Sequence, residues 1–417
     1  MGYLIRIRWL GPANFIGLLL QKIFPANCTV NSVLASIYSQ LWNPAAEFKT
    51  LMKIIEVNPG DVDLLARAGL SAAYAGDLVG IERLLMLAIK VDESLLRYLK
   101  GLEDFLNGGI NYRTHFQESV RIFFLKKEVN SLDQLRLMGE AKIPEFIRLA
   151  YNIRGLNSLS TWAEDNETLQ PTLLLSSGKD EVILASNINV TNSPVVLVTC
   201  DECYFNVFFE YFIQNFRRKN KNIIHFHILA NDTIEKRKFI SSLTERHEDV
   251  QYSIEENTGK SKTYITLVRY LICRDLMNFY KSDIFISDID MTLDFDLQLV
   301  EQNIKLGDFD FALCDVGYMV PWARFAAGCS YFRVANRASN FYLELLSKYI
   351  TTLISDGGFW TLDQTGMQMV YEYLKLQQYK FKMLNLNNTI DFWMLVNVPK
   401  RLQRQKIQCK FKNGSPS

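Results

Sequence analysis

The chain has 417 residues, which is too long for one ordinary domain, and about two or three domains are expected. Its 46 basic and 45 acidic residues nearly cancel, which argues against a nucleic-acid binder that relies on a strong positive field. The seven cysteines are odd in number and mostly scattered, so no disulfide framework is expected. Ordinary thiols favour a reducing, cytoplasmic compartment. The pair Cys200 and Cys203 is interpreted as two such thiols, with a zinc or redox site as the alternative.

The first segment, residues 1–42, is predicted to be helical. Its longest clean apolar run covers residues 15–20, far short of the ~20 residues that a transmembrane helix needs. The sequence therefore predicts no transmembrane segment. We expect this segment to pack on the next domain; the alternative is an amphipathic helix docked peripherally on a membrane.

Residues 43–156 show an all-α pattern, with Leu, Ile and Ala recurring at three- and four-residue spacing. The stretch that begins at Ile54 aligns with the stretch that begins at Ala88, an offset of 34 residues. Between them, small residues such as Gly69 would let two helices cross closely, and Gly76 followed by Asp suits a turn. The pattern resembles the tetratricopeptide repeat, which implies a contact for a protein partner or a dimer. A helical layer that packs only on its neighbour is the alternative.

A connector with accessory strands is predicted for residues 157–193, the principal domain for residues 194–408, and a tail for residues 409–417. In the principal domain, near-continuous apolar strands alternate with helices, which indicates a mostly parallel α/β sheet with helices on both faces. Ligands bind such sheets beyond the carboxyl ends of the strands. The main predicted strands cover residues 194–199, 222–230 and 250–254, and a fourth, short apolar strand within residues 280–292 leads into Asp288.

Two carboxylates, Asp288 and Asp290, follow the last of these predicted strands. Strand alternation would place both on one side, with Ile289 turned into the core. Two carboxylates at the carboxyl end of a buried strand suit Mn²⁺ or Mg²⁺, which such sites share with substrate phosphates. The sequence therefore predicts a divalent-metal site at this position.

This arrangement resembles the GT-A glycosyltransferases, which have a Rossmann-like half for a nucleotide sugar and a DxD motif for its metal. The resemblance covers residues 194–406. Besides the DxD of Asp288 and Asp290, residues 321–328 look like the segment that lines the donor-sugar pocket. Residues 360–364 (Trp-Thr-Leu-Asp-Gln) look like the W-x-x-D-Q element that opens a later helix in several such families.

The resemblance implies a role for each residue. Asp290 would ligate the metal directly, and Asp288 would contact the ribose, or the metal through water. The cation would bridge the diphosphate of the donor, with UDP preferred by analogy, and would stabilise charge on the leaving nucleotide. Asp363 is the first candidate for a general base, and it would face the sugar or acceptor hydroxyls together with Gln364. The remaining predicted donor contacts are Thr199, Asp201, Arg269, Ala327, Gly328, Trp360 and Lys400.

Several of these residues also have a purely structural interpretation. Arg269 could pair with Asp275 or Glu255 at the surface, and Asp363 could simply cap the helix that follows it. No histidine follows His247, whereas many metal-dependent GT-A enzymes take a third metal ligand, often His, from the C-terminal segment. An amide, another carboxylate or water would then complete the metal shell.

Two other functions are weighed against a glycosyltransferase that moves a sugar from a nucleotide-diphosphate donor to a glycan or protein acceptor. The loop at Asp288 also resembles the nucleophile loop of haloacid-dehalogenase-type phosphatases, with Asp290 as acid/base. That fold places the loop on its first strand, however, and three strand–helix units precede it here. The third hypothesis is a non-catalytic helical-repeat adaptor with a degenerate nucleotide-sugar fold, which the missing histidine favours and the intact Asp288, Asp290, Asp363 and Gln364 oppose.

Overall fold

The computed structural model of the protein describes residues 10–41, 43–126, 144–154, 193–230, 238–242, 245–247, 249–256, 262–317, 320–355, 361–390, 398–399, 401–402 and 405. Trp360, Lys400, the tail and the predicted strands of the connector lie outside these residues. The chain divides into two compact units, which are described separately. The first comprises Met1–Leu156 with Tyr318–Ala323, and the second comprises Asn157–Gly317 with Arg324–Ser417.

The described part of the first unit is helical. Five of its helices begin directly after an Asn or Asp whose side chain accepts a hydrogen bond from the backbone N–H three residues later, the preferred way to satisfy the free N–H groups at a helix start. The helices are α1 (Leu10–Ile23), α2 (Cys28–Gln40), α3 (Pro44–Ile55), α4 (Val62–Ala75), α5 (Leu78–Ala88), α6 (Glu93–Leu106), α7 (Tyr112–Lys126) and α8 (Glu145–Arg154).

The predicted close crossing and turn are present among these helices. A Cβ on Gly69 would lie 2.3 Å from Leu99 Cδ2, so α4 approaches α6 at a position where a larger side chain would clash. Gly76 ends α4 with φ +68°, a left-handed conformation that favours glycine. Helices α3 and α5 begin at Pro44 and Leu78, 34 residues apart. The relationship to tetratricopeptide repeats stays a prediction.

Residues 320–323 belong to the first unit, although in sequence they lie between two strands of the second. The buried Trp322 donates a hydrogen bond from its indole N–H to the Tyr74 hydroxyl at 2.8 Å. Its ring meets Phe116 edge-on, with the centroids 6.4 Å apart. Residues 321–323 therefore pack in the helical unit, whereas residues 325–328 are part of a strand of the second unit. The expectation that residues 321–328 line the donor-sugar pocket stays a prediction.

The second unit contains a seven-stranded sheet in the order β3-β2-β1-β4-β6-β5-β7. Strand β6 runs antiparallel to its neighbours β4 and β5, and the other pairs are parallel. This confirms the predicted mostly parallel α/β fold. The strands are β1 (Val195–Asp201), β2 (Ile224–Ala230), β3 (Val250–Glu256), β4 (Ile284–Ser287), β5 (Phe311–Asp315), β6 (Phe325–Phe332) and β7 (Met383–Asn385). The helices are α9 (Glu202–Phe216), α10 (Lys262–Tyr280), α11 (Leu297–Leu306), α12 (Arg337–Ser355) and α13 (Leu362–Leu376).

The sheet is buried because both faces of its central strands are apolar. Every residue of β1, β2, β4 and β6 is buried. On one side, aromatic side chains of α9 pack on β2: Phe209 and Phe212 lie with ring centroids 5.3 and 5.8 Å from that of Phe226. Burial of large aromatic rings is a main stabilising contribution in such cores, and it fixes the position of β1.

The strand order reverses between β1 and β4. From β1 the chain moves outward to β2 and β3, and then returns to the other side of β1 to form β4. Val198 pairs with Ser287, so β1 continues three residues beyond that level to Asp201. The carboxyl ends of β1 and β4 therefore border the crevice in which open α/β sheets bind ligands.

Candidate active site

The two carboxylates of the DxD motif lie in a turn that directly follows β4. The strand ends at Ser287, and the Met291 N–H donates to the Asp288 carbonyl at 3.3 Å. Ile289 is buried in the core, whereas the Asp288 side chain is 37% exposed and Asp290 is half-buried. The predicted alternation is therefore present, although the backbone is a turn and not a continued strand.

Arg269, on α10, is a buried cation beside this turn, only 4% exposed. One of its guanidinium nitrogens, Nη1, donates to Asp288 Oδ1 and also lies 3.4 Å from the Ala327 carbonyl. Its Nε donates to the Thr266 carbonyl at 2.7 Å. The alternative of a surface pair with Asp275 or Glu255 is therefore wrong.

The charge of Arg269 is maintained by its surroundings. Burial alone would lower the pKa of Arg269, but the neighbouring Asp288 carboxylate, followed by Tyr270 and Asp363, raises that pKa above its ordinary value. A buried cation of this kind is stable only when anions compensate it. Arg269 is therefore a permanent positive charge between acidic residues of different elements.

Asp363 lies in the first turn of α13 and is only 6% exposed. Burial raises the pKa of Asp363 to about 6; Arg269 opposes that rise and Asp288 adds to it. Because these electrostatic effects require proximity, Asp363, Arg269 and Asp288 lie in one group. Together with Asp290 they are called the rim cluster.

Asp363 is not the N-cap residue of α13, although its carboxylate does bond to a backbone N–H of the first turn. The N-cap position of α13 is Thr361, which has φ +71° and makes no side-chain capping bond. Asp363 comes two residues later, and its carboxylate accepts from the Gln364 N–H at 2.9 Å. Asp363 therefore lies inside the first turn of α13, and its buried carboxylate is part of the rim cluster.

Gly328 and Ala327, on β6, contact the rim cluster through their backbone. The Asp288 N–H donates to the Gly328 carbonyl at 3.2 Å, and a Cβ on Gly328 would lie 2.2 Å from Asp288 Oδ2. The Ala327 carbonyl accepts from the Tyr270 hydroxyl at 2.7 Å. The close approach that Gly328 permits is therefore an approach to the Asp288 carboxylate itself.

Thr199 and Asp201 lie at the carboxyl end of β1, and both are buried. Asp201 caps α9 by accepting from the Tyr204 N–H at 2.8 Å. The Thr199 hydroxyl lies 3.4 Å from the Ile265 carbonyl. The bond from Tyr204 stabilises the first turn of α9. Both residues lie on the edge of the sheet where a donor nucleotide is predicted to bind.

Tyr204 is a site residue that sequence reasoning missed. Burial raises the pKa of Tyr204, and the carboxylates of Asp290, Asp201 and Asp288 raise it further, so its ring lies beside the acidic pair. The only local signal was an aromatic residue three positions after the end of β1. Tyr211, two helical turns later, bonds to Thr292 with their oxygens 2.6 Å apart and braces the turn that follows Asp290.

The donor set at this edge fits a cation that keeps non-protein ligands. Within the described residues, no group of three or more Asp, Glu, His or Cys side chains gathers as a metal site. Asn385, one candidate amide, accepts from the Asp315 N–H at 3.0 Å, so it stabilises the loop after β5. Two carboxylates that leave other positions to phosphate and water match the coordination of Mg²⁺, and they do not match a closed structural site.

The histidines of β2 form a separate buried group, here called the strand cluster: His225, His227, Ser253, Glu255 and Tyr280. His225 bonds Tyr280 at 2.6 Å and Ser253 at 2.9 Å. His227 bonds Ser253 at 2.8 Å and Glu255 at 2.8 Å. Each member is at most 1% exposed, so the two histidines belong to the buried core of the sheet.

The cysteines follow the prediction only in part. Of the described cysteines, Cys28, Cys200, Cys273, Cys314 and Cys329 are free thiols. Cys203 is disulfide-bonded, so the expectation of an ordinary thiol is correct for Cys200 and wrong for Cys203. Among the helices that the structure describes, none combines the length and apolarity needed to cross a bilayer.

No protein-family model matches the chain, and no curated protein matches it. Two solved structures are similar to part of it. The apo structure of the WbbM bifunctional glycosyltransferase matches over 45% of this chain and 38% of its own length, with 18% identity and a TM-score of 0.32. Mouse xyloside xylosyltransferase 1 matches over 47% of this chain and 86% of its own, with 9% identity and a TM-score of 0.31. Both matches cover less than half of this chain, and the case for function rests on the site.

Proposed function

We propose that the chain is a metal-dependent glycosyltransferase that moves a sugar from a nucleoside-diphosphate donor, with UDP preferred, to a hydroxyl of a glycan or protein acceptor. The observation that carries the proposal is the rim cluster. The buried guanidinium of Arg269 donates to Asp288 of the turn after β4, and the nearby charge of Asp363 of α13 also raises its pKa. The cluster borders the crevice at which the strand order reverses, where sheets of this kind bind nucleotides.

Asp290 and Asp288 are the residues that would hold Mn²⁺ or Mg²⁺, and the cation supplies charge neutralisation for the donor diphosphate. Asp288 has a fixed orientation, because Arg269 binds its Oδ1 and its Oδ2 lies over Gly328. Asp290, half-buried in the same turn, is assigned as the direct ligand. Tyr204 brings an aromatic ring to the same edge, beside the expected nucleoside.

Asp363 is the proposed general base. With a pKa raised to about 6 by burial, its carboxylate is ionised at pH 7 and more basic than an ordinary aspartate, which suits proton transfer near neutrality. The acceptor hydroxyl oxygen forms the new bond to the anomeric carbon, the bond to the nucleoside diphosphate breaks, and the hydroxyl proton passes to Asp363. Gln364 offers an amide to the sugar or acceptor hydroxyls.

The acceptor and the compartment follow from other parts of the chain. The helical unit, tetratricopeptide-like by sequence, is proposed to recruit the acceptor or to form a dimer contact. The five free thiols among the described cysteines favour the cytoplasm, and the disulfide at Cys203 weighs against it. Light scattering on the full chain tests the dimer, because a monomeric mass at all concentrations excludes that role.

The donor site is tested by thermal unfolding with UDP, GDP or CMP, each with and without Mn²⁺. A ligand that binds only the folded state raises the melting temperature by mass action. We expect UDP with Mn²⁺ to stabilise the wild type, and to have no effect on Asp290→Ala. Asp294→Ala is the matched control, since Asp294 is an exposed aspartate of the same loop that pairs with Lys219 at 3.1 Å; it should respond as the wild type does.

Either of two results contradicts the proposal. If no nucleotide stabilises the wild type, with or without Mn²⁺, the crevice is not a nucleotide-sugar site, and the phosphatase and adaptor hypotheses gain. If Asp290→Ala is stabilised as strongly as Asp294→Ala, the nucleotide binds without the acidic pair.

A further inference from the structure

Helix α1 is packed with its small residues inward and its large apolar residues outward. Ala13 is completely buried against Leu34 and Ile37 of α2, and Gly17 is buried on the same side. Phe15 and Ile23 are each 65% exposed. The other large apolar residues that are more than a third exposed here are Ile16, Leu18, Leu19 and Phe24.

These outward residues form one continuous stripe. At 3.6 residues per turn, residues 15, 16, 18, 19, 22 and 23 fall within an arc of about 160°, opposite Ala13 and Gly17. Lys22 lies inside the stripe and is exposed. A surface helix of a globular protein normally turns its apolar face to the core. Helix α1 has the reverse arrangement, and exposed apolar surface of this extent marks an interaction site.

The charge around this stripe selects the partner. No Asp or Glu occurs before Glu47, whereas Arg6, Arg8 and Lys22 are basic. An apolar stripe with a lysine inside it fits a lipid interface, where the side-chain stem lies along the acyl chains and the ammonium reaches the headgroups. Acid-free basic segments are attracted to anionic lipids. With 14 residues, α1 is too short to span a bilayer but suits a helix that lies in the interface.

We infer that α1 binds the surface of anionic membranes, with Phe15, Leu19 and Ile23 inserted between the lipids and Lys22 at the headgroups. The inference does not depend on the proposed chemistry. In this inference the chain is located at the membrane by an interfacial helix. From the sequence alone, that arrangement was the alternative to a helix packed on the next domain.

The test is cosedimentation of the full-length chain with vesicles of phosphatidylcholine, alone or mixed with phosphatidylglycerol. The wild type should bind the mixed vesicles and bind phosphatidylcholine more weakly. The double variant Phe15→Ser/Ile23→Ser should lose about tenfold or more in affinity, since two inserted side chains are removed. The matched control is Val79→Ser/Met86→Ser, on α5, where both residues are similarly exposed and the affinity should not change.

A second variant keeps the inference testable if the double variant folds poorly. Lys22→Glu changes only an exposed side chain, and it should weaken binding to the mixed vesicles several-fold while leaving binding to phosphatidylcholine unchanged. The inference is overturned if the wild type does not bind the mixed vesicles, or if the α1 variants bind as the wild type does. It is also overturned if light scattering shows a wild-type dimer that Phe15→Ser/Ile23→Ser converts to a monomer, because the stripe is then a contact between copies.

Discussion

The rim cluster and the strand cluster are both buried, charged and located in the second unit, yet they differ in one property. In the strand cluster, the ring nitrogens of His225 and His227 all bond to other members of the cluster, and no member is open to solvent. In the rim cluster, Arg269 and Asp363 are buried but Asp288 is 37% exposed. Burial and charge alone therefore do not distinguish a functional site from a structural hydrogen-bond network in the core. The difference is that the rim cluster has carboxylate oxygens exposed to solvent at the edge of the sheet.

The largest expected effect is a loss of activity when Asp363 is replaced. If activity does not fall, the contrast between the rim cluster and the strand cluster is wrong. Asp363→Asn removes the proposed base but keeps the shape, so sugar transfer or donor hydrolysis should fall about 10²- to 10⁴-fold, while stabilisation by UDP with Mn²⁺ should persist. The measurement is the rate of UDP release from each of several UDP-sugars.

The matched control is Glu372→Gln, on the same helix α13. Glu372 is a carboxyl whose pKa burial raises to about 7, and it accepts from the Gln368 amide at 2.6 Å. It has no part in the rim cluster, so its variant should keep the wild-type rate. Equal rates for Asp363→Asn and the wild type would remove Asp363 from the reaction.

The next effect is on folding. Arg269→Ala leaves Asp288 and the buried Asp363 without their cation, and the free energy of unfolding should fall by about 3 kcal/mol, measured by urea unfolding at pH 7. Arg269→Lys keeps the charge without the planar fork and should lose less. If the alanine variant is as stable as the wild type, the guanidinium does not compensate the carboxylates.

A smaller loss of unfolding free energy is expected when the strand cluster is changed. This variant tests whether the strand cluster is structural while the rim cluster binds the nucleotide. His227→Ala removes one hydrogen-bond partner from each of the buried Ser253 and Glu255, which keep His225 and Tyr264 respectively. The loss should cost about 1–3 kcal/mol of unfolding free energy. The melting-temperature rise with UDP and Mn²⁺ should nevertheless equal that of the wild type, because every member of this cluster is at most 1% exposed. A variant that is stable but has lost the nucleotide response would assign the strand cluster to the site.

The smallest expected effect concerns how the unfolding free energy depends on pH. Asp363 of the rim cluster and His225 of the strand cluster contribute to that dependence with opposite signs. The pKa of Asp363 is raised from 3.8 to about 6, so the folded state binds more protons in that window and the unfolding free energy falls as pH rises through it. Burial, aided by the charge of His227, lowers the pKa of His225 from 6.5 to about 3. Between these two pKa values the unfolded state binds more protons at His225 than the folded state does, so the unfolding free energy rises with pH.

Asp363→Asn removes only the first of these contributions. Between pH 3.8 and 6, its unfolding free energy should increase with pH more steeply than that of the wild type, by at most about 1.4 kcal/mol per pH unit. Urea unfolding at several pH values in this range measures the slopes. Parallel curves would show that Asp363 titrates alike in the folded and unfolded states.

Local patterns in the sequence predicted much of the fold. The apolar runs that became β1, β2 and β4 alternate with helices, and this order indicates a mostly parallel sheet. The spacing of Asp288 and Asp290 predicted that both face one side, since that property depends on three neighbouring residues. Residues 157–192, Trp360 and Lys400 lie outside the described residues, and the predictions for them stay predictions.

The contacts that define the site depend on long-range packing. Which acid Arg269 meets is decided by how α10 packs on the sheet. Local patterns offered Asp275 and Glu255, and the actual partner, Asp288, was not among them. The fit of Gly328 to Asp288 requires β6 to lie antiparallel beside β4. Trp322 joins the helical unit through Tyr74, 248 residues away in sequence, which no local pattern can show.

The strand order also affects how the protein is made. Strand β1 needs β4 as its second neighbour, and β4 begins at Ile284 while β1 ends at Asp201. At a translation rate of about 5–20 residues per second, the ribosome takes roughly 4 to 17 seconds to add the intervening chain. For that time one side of an apolar strand has exposed N–H and C=O groups, which are a template for wrong pairing. Chaperones that cover this edge during synthesis should therefore raise the yield of the folded chain.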